Sequence, residues 1–369
     1  MSFSHVHISQ FRIEGTSTRF YANGNHQCHV RVKILKQGID NSTGMMVPIP
    51  LTTQERNSVS TALLSSSLNH SALTMPQSWN VTPNRNNNFD LGLINQSASA
   101  REISWSRHSE EQYDEDFKNT PCYSKDDALD MCENISVSDV NIEPLQQNNV
   151  PEIIDLFITA ATTGGHRIMA KALVEVSDGD GNRTITITTN MNSGNNIFNS
   201  WIDLDAITPF AIHPNMLSNS LDVIYERREY VTKWDIHHQT ITLSRWTLPF
   251  NLRINSYISG NINSIFYRLG NEPQPNRFLT KGRFFRSGSS TVSSREGMSG
   301  GCIWEHRYTV NVPANQIVVS LLHVTGCSWT VPNRPGSHIV VFLDNYGNRH
   351  SFILTAEDTG RRISINRAG

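Results

Sequence analysis

Hydrophobic and polar residues alternate with a period of two along much of the chain. The runs include HVRVKIL (29–35), KALVEV (171–176), RTITITT (183–189), QTITLSRW (239–246), HIVVFL (338–343) and HSFILT (350–355). A period of two places successive side chains on opposite faces of an extended chain, so each run predicts a half-buried β-strand. YANGN (21–25), SDGDGN (177–182) and DNYGN (344–348) adjoin these runs; the first two supply Asn-Gly and Asp-Gly steps and the third a glycine followed by asparagine. Such steps accept positive φ, and the flanking runs read as β-hairpins. NLRINSYI (251–258), RYTVNV (307–312) and QIVVSLLHV (316–324) extend the strand grammar towards the C-terminus.

Helical signals are few. PEIIDLFITAA (151–161) begins with proline at a plausible first helical position, but its continuation, TTGGHRIMAKALVEV, turns the segment towards a strand. The expectation is an all-β chain with one or two short helices, built from two or three β-sandwich or barrel domains. The expected segments are 1–78, 79–150, 151–260 and 261–369. Segment 79–150 is Asn-rich and then acidic (SEEQYDEDFKNTPCYSKDDALDMCEN), which reads as a surface insertion or linker.

Composition narrows the function classes. The chain has 369 residues, with 31 Lys and Arg against 33 Asp and Glu, and a formal charge of -2. That balance gives no global attraction to nucleic acid or an anionic membrane, and the basic tail TGRRISINR is too short to change this. P-loop and dinucleotide glycine fingerprints are absent, and no cofactor is expected. No apolar run approaches the roughly 18 residues of a membrane-spanning helix. The N-terminus lacks a Sec-type signal pattern, so a cytoplasmic protein, or one released by another route, is expected. The cysteines, Cys28, Cys122, Cys132, Cys302 and Cys327, are odd in number and fit reduced thiols, although Cys302 and Cys327 could pair across neighbouring strands.

Metal-ligating patterns are incomplete. His5 and His7 stand at i and i+2, His26, Cys28 and His29 cluster, His237 and His238 are adjacent, and Cys302 precedes His306, but none has a second pair at zinc spacing. Asp178, Asp180 and Asn182 resemble the first half of a calcium loop. Its twelfth position is Thr189 instead of glutamate, so a hairpin turn is the preferred reading. The tryptophans, spread from Trp79 to Trp329, would make a sugar platform only if several were exposed together.

Two resemblances to known families follow from these residues. GNHQCHVRVKILKQGID (24–40) and GGHRIMAKALVEVSDGDGN (164–182) resemble the opening of bacterial immunoglobulin-like domains of the invasin and adhesin type. That likeness implies stacked sandwiches used for display, with self-association or a protein or glycan partner, and it carries no catalytic residues. REGMSGGCIW (295–304), followed by IVVSLLHVTG (317–326), resembles the nucleophile region of chymotrypsin-like proteases. It implies Ser299 as nucleophile, the backbone amides of Gly297 and Ser299 as an oxyanion hole, and His323 at the primary pocket. The family's Thr-Ala-Ala-His signature is missing. His166 and Asp222 are the candidate base and orienter, with Asp203 and Asp205 competing for the acid's place. A non-enzymatic display, binding or assembly protein is the leading expectation, a serine protease or its decayed form the alternative, and a carbohydrate-binding protein the third.

Overall fold

A computed structural model describes residues 3–94, 150–177, 181–193, 196–230, 236–259, 265–271, 277–294, 304–326, 336–357 and 361–368. The described chain is mainly β, as the alternation predicts. Its first half contains β1 (Phe3–Gly15), β2 (Arg19–Tyr21), β3 (Cys28–Asp40), β4 (Met46–Pro48), helix α1 (Thr53–Ser58), β5 (Ser60–Leu63), β6 (Trp79–Thr82), β7 (Glu152–Ala160), β8 (Gly164–Ser177), β9 (Asn182–Thr188), β10 (Asn192–Ser193), β11 (Asn196–Ile197) and β12 (Ile202–Ile207). Its second half contains β13 (Ser218–Tyr230), β14 (Ile236–Thr247), β15 (Ile254–Ser259), β16 (Ile265–Asn271), β17 (Arg277–Phe285), β18 (Gly288–Ser293), β19 (Arg307–Val312), β20 (Gln316–Thr325), β21 (Ser337–Asp344), β22 (Arg349–Ala356) and β23 (Ile363–Arg367).

Two sheets enclose the first core. One runs β1-β3-β7-β6 with β4 also on β3, and the other runs β2-β12-β8-β5 with β9 also on β8. Phe11, Val30, Val32 and Ile158 from the first sheet meet Phe20, Ile168, Ala170, Val174 and Leu204 from the second. On β3 the buried positions Val30, Val32 and Ile34 alternate with Arg31, Lys33 and Leu35, which converts the sequence pattern directly into a one-sided core.

Sheet membership cuts across the expected segment boundaries. β3 pairs with β7, and β5 with β8, so residues before 94 and after 150 build the same two sheets. Local periodicity identifies strands but not their partners, because pairing is decided by long-range burial. The YANGN turn differs from its sequence reading for the same reason. β2 leaves for the second sheet, where it runs parallel to β12, while β3 returns to pair with β1. Burial of Phe20 and Tyr21 drives that crossing. The other two turns are hairpins as read: β8 pairs with β9 from Ser177↔Asn182, and β21 with β22 from Leu343↔Arg349.

Helix α1 carries a signal that alternation does not reveal, a Thr-x-x-Glu capping box. Thr52 Oγ1 accepts from Glu55 N at 3.2 Å, and Glu55 Oε2 accepts from Thr52 N at 2.8 Å. The same buried Glu55 receives Lys36 Nζ at 2.7 Å and Glu175 N at 2.8 Å, tying the helix to both sheets. Burial pushes the Glu55 carboxyl up, but these donors outweigh it and hold it below the ordinary range.

The second core lies between sheets β13-β14-β20-β17-β16 and β15-β21-β22-β23. Trp246, Phe284, Ile317, Val319 and Leu321 face Val340, Phe342, Phe352 and Leu354 across it. The far side of the five-stranded sheet is covered by the β18–β19 hairpin, whose Val292, Val310 and Val312 meet Leu243, Phe285 and Val318. Central strand β20 is thus buried on both faces, which explains why its sequence is a continuous apolar run rather than an alternating one.

Candidate functional site

The protease-like loop can be followed only to its base. Gly297, Ser299 and Cys302 lie outside the described residues, as do Cys122, Cys132 and Cys327. The flanking residues Ser294 and Trp304 are fastened together by a side chain that the sequence reading missed. Gln239, fully buried on β14, donates from Nε2 to Trp304 O at 2.9 Å and accepts at Oε1 from Trp304 N at 2.9 Å. Ser294 Oγ donates to Trp304 O at 2.8 Å and accepts from His306 N at 2.9 Å. A glutamine whose amide closes such a ring with the N–H and C=O of one residue acts as a staple, because its donor and its acceptor are both used while buried.

His323 sits on β20, buried between Thr240 of β14 and Thr280 of β17. Its Nδ1 lies 3.2 Å from Thr280 Oγ1, and its ring tilts against Phe278. His166 is elsewhere, on β8 opposite Leu204, with its ring edge-on to Trp79 at 5.1 Å. Asp222 is on β13 in the second sandwich, ion-paired with Arg245 at 3.2 Å. The structure therefore does not bring His166 and Asp222 together. Nor does the register pair His166 with the rival carboxylates: it stands opposite buried Leu204, whereas Asp203 stands opposite Arg167 and Asp205 opposite Gly165. Asp203 and Asp205 flank Leu204 on β12, and Thr18, Arg19, Gly165, His166, Arg167, Asp203, Leu204 and Asp205 line one open groove of about 570 Å³. On its rim Arg167 meets Asp203 at 3.2 Å and Arg19 meets Asp205 at 3.5 Å.

The metal patterns disperse. His5 has a φ of 49°, a bulge separates Ser4 from His7, and the His7 ring contacts its neighbour's carbonyl, so strand alternation fails at that pair. His29 pairs with Asp155 at 2.7 Å and stacks on Phe157, while Cys28 points to Ser17 O as a buried thiol pushed up to about 12 by burial. His238 meets Glu226, and His306 stacks on Tyr225 at 4.1 Å. Asn182 opens β9, and Asp178 and Asp180 lie outside the described residues. Among the described residues no three His, Cys, Asp or Glu side chains converge on a metal site. Trp79 and Trp246 are core residues at 7% and 2% exposure, Trp304 lies under the Arg227 guanidinium, and Trp201 stands at 37% exposure.

A buried polar cluster lies at the joint of the two sandwiches, where the β21–β22 turn meets the crossing between β2 and β3. Asp344 is wholly buried. Its Oδ1 accepts from Tyr346 N at 2.8 Å and Asn348 N at 2.9 Å, and its Oδ2 from Asn348 Nδ2 at 3.1 Å and His350 Nε2 at 2.9 Å. From the other side Asn23 Nδ2 donates to Asn348 Oδ1 at 2.8 Å and to Tyr346 O at 3.0 Å. Asp90 accepts from Asn345 Nδ2 at 2.7 Å and Arg253 at 2.9 Å. Gly347 has a φ of +77°, and a Cβ there would lie 2.6 Å from Asn25 Cβ, so only glycine fits this approach.

His26 completes the joint. Its Nδ1 accepts from Tyr21 N at 2.8 Å, and its ring packs between Tyr21 and Tyr346. Burial pushes its pKa down to about 4, against the opposing pull of Asp344, the Gly92 carbonyl and Asp90. DNYGN is visible in the sequence as a turn, but nothing local reveals that it plugs a second domain.

No helix among the described residues is long and apolar enough to cross a membrane. No family model matches the chain, and none of the curated proteins or solved structures compared with it does either.

Proposed function

We propose that the chain works by presenting surfaces rather than by catalysis, as a stiff tandem of β-sandwiches used for display, binding or self-assembly. The joint carries this reading. The turn 344–348 seats against Asn23, Asn25 and Asp90 through part-buried hydrogen bonds, and buried Asp344 fixes the shape of the turn by accepting four more from within its own hairpin. A network satisfied in this way resists bending, because any opening strands buried polar groups at about 1–3 kcal/mol each. A stiff joint suits a module that presents an edge or face in a fixed position, since relative motion is the ordinary expectation where an interdomain contact is weaker.

Small-angle scattering and electron microscopy test this. The wild-type chain is expected to show the two sandwiches in one fixed arrangement, within assemblies or bound to a partner. Gly347→Ala, which drives a Cβ into Asn25, is expected to broaden the distance distribution while both cores stay folded. A wild-type chain that is a partnerless monomer, or whose sandwiches already move independently, overturns the proposal. Labelling by a fluorophosphonate probe that disappears in Ser299→Ala replaces it with the protease reading.

A further inference from the structure

The outer face of the sheet β15-β21-β22-β23 lacks the charge found on the outer face of the β1-β3-β7-β6 sheet. On β21 and β22 the core residues Val340, Phe342, Phe352 and Leu354 alternate with outward ones, and the register sets Ile339 beside Ile353, Val341 beside Ser351 and Leu343 beside Arg349. β23 adds Ser364 next to Thr355 and Asn366 next to Ile353, while edge strand β15 adds Ser256 next to Leu343. Arg349, at the β21–β22 turn, is the one charged side chain in this set. The outward positions of β1, β3 and β7 are instead Arg12, Glu14, Arg31, Lys33 and Asp155. Ile339 is 51% exposed, and Ile258, the bulge residue between Tyr257 and Ser259, is 52% exposed. Neither completes a core, and apolar side chains grouped on an open face inside a polar rim mark a surface that another surface covers.

These residue types select a second copy of the chain as the occupant. Around a two-fold axis each group meets its own counterpart or a neighbour from the same patch, so a charge near the axis would face a like charge. Isoleucine, valine and leucine pack against themselves. Serine, threonine and asparagine both donate and accept hydrogen bonds, so they can satisfy their own counterparts, which a carboxylate or a guanidinium cannot. Depletion of charge from the centre is also what separates an interface core from ordinary surface. Arg349, at one end of the face, is carried by the axis to the opposite end and stays clear of its counterpart. The area suffices: four strands about 4.8 Å apart, the central two eight residues long at about 3.4 Å per residue, cover about 500 Å² per copy and about 1,000 Å² for the pair, the lower bound of a specific interface. We propose that two copies of the chain associate face to face through the outer side of this sheet, centred on Ile339, Val341 and Ile353. This inference rests on the display reading and names its partner, but the two fail separately: a dimer with loosely hinged sandwiches sinks that reading alone, and a stiff chain that assembles through another surface sinks this one alone.

Sedimentation equilibrium of the full chain over a concentration series tests it. An interface of this size is expected to give a monomer–dimer equilibrium with a dissociation constant on the order of micromolar. Ile339→Lys and Thr355→Lys each bring like charges into the contact and are expected to weaken it about tenfold or more. Thr355 is already polar and part-exposed, so its variant should keep the near-ultraviolet dichroism of the wild type and report the contact rather than the fold. Val223→Lys, at an apolar residue 61% exposed on β13, is expected to leave the dimer unchanged. The proposal is overturned if the chain stays monomeric up to about 100 µM, if both lysine variants of the face dimerise like the wild type, or if Val223→Lys dissociates the dimer as strongly as they do.

Discussion

Acid should weaken the joint through a single imidazole. His26 is fully buried, and its pKa is pushed from the ordinary 6.5 down to about 4, chiefly by burial. The groups facing it are the Tyr21 and Tyr346 rings, the carboxylates of Asp344 and Asp90 and the Gly92 carbonyl, and the attraction of these last three for a proton is insufficient to offset desolvation. An unfolded chain binds this proton near pH 6.5 and the folded chain refuses it until about pH 4. The stabilisation from keeping the ring neutral is therefore complete above pH 6.5 and falls as pH drops through that window. With those two values, the loss is about 2 kcal/mol between pH 7 and 5, and about 3 kcal/mol by pH 4.

His26→Asn is the control, because the asparagine oxygen can accept from Tyr21 N as Nδ1 does but binds no proton. Urea unfolding followed by tryptophan fluorescence at pH 7 and 5 should show the wild type losing about 2 kcal/mol more than the variant on acidification. Trp79 in the first core and Trp246 in the second both report, so separate unfolding of the cores would be visible. Equal acid sensitivity in wild type and variant, or an NMR titration placing His26 near 6.5, refutes the reasoning.

Two further substitutions probe residues that local sequence does not mark. Gln239→Ala leaves the Trp304 amide and carbonyl without their staple and should cost about 2 kcal/mol in the same unfolding assay, so a cost below about 0.5 kcal/mol would show the clasp to be incidental. Phe250 and Asn251 adopt φ of 55° and 57° in a turn closed by Leu252 N to Pro249 O at 3.0 Å. Phe250→Asn should be more stable than Phe250→Ala by about 1 kcal/mol, because both lose the ring contact with Phe210 and only asparagine tolerates the left-handed region; equal stability would remove strain from the account.

The strands were legible because each depends on its own alternation: KALVEV and RTITITT predict a hairpin, and β8 and β9 form one. Pairing over distance was not legible, since nothing in HVRVKIL states that its partner is the EIIDLFITA run beyond the acidic segment. The same limit governs the site. A motif reader is drawn to residues that look chemical, and His166 and Asp222 do, yet each is positioned by its strand's burial and they end in different sandwiches. Asp203 and Asp205 look no more chemical than Asp222. They come to the strand beside His166 because β12 and β8 are neighbours, a fact of topology alone, yet alternation sets them opposite Arg167 and Gly165 and leaves His166 opposite Leu204.

Gln239 and Asn348 carry no motif at all, and they hold the loop base and the joint because a buried amide must find both a donor and an acceptor. In a β-rich chain whose polarity comes from Asn, Ser, Thr and Gln more than from charge, much of the structural specification lies in such amides. They become recognisable only once the strands around them are paired. The balance also explains why the joint tolerates a neutral His26 at its centre. Nδ1 already accepts from Tyr21 N, so protonating the ring would add a buried charge and set a donor against that donor.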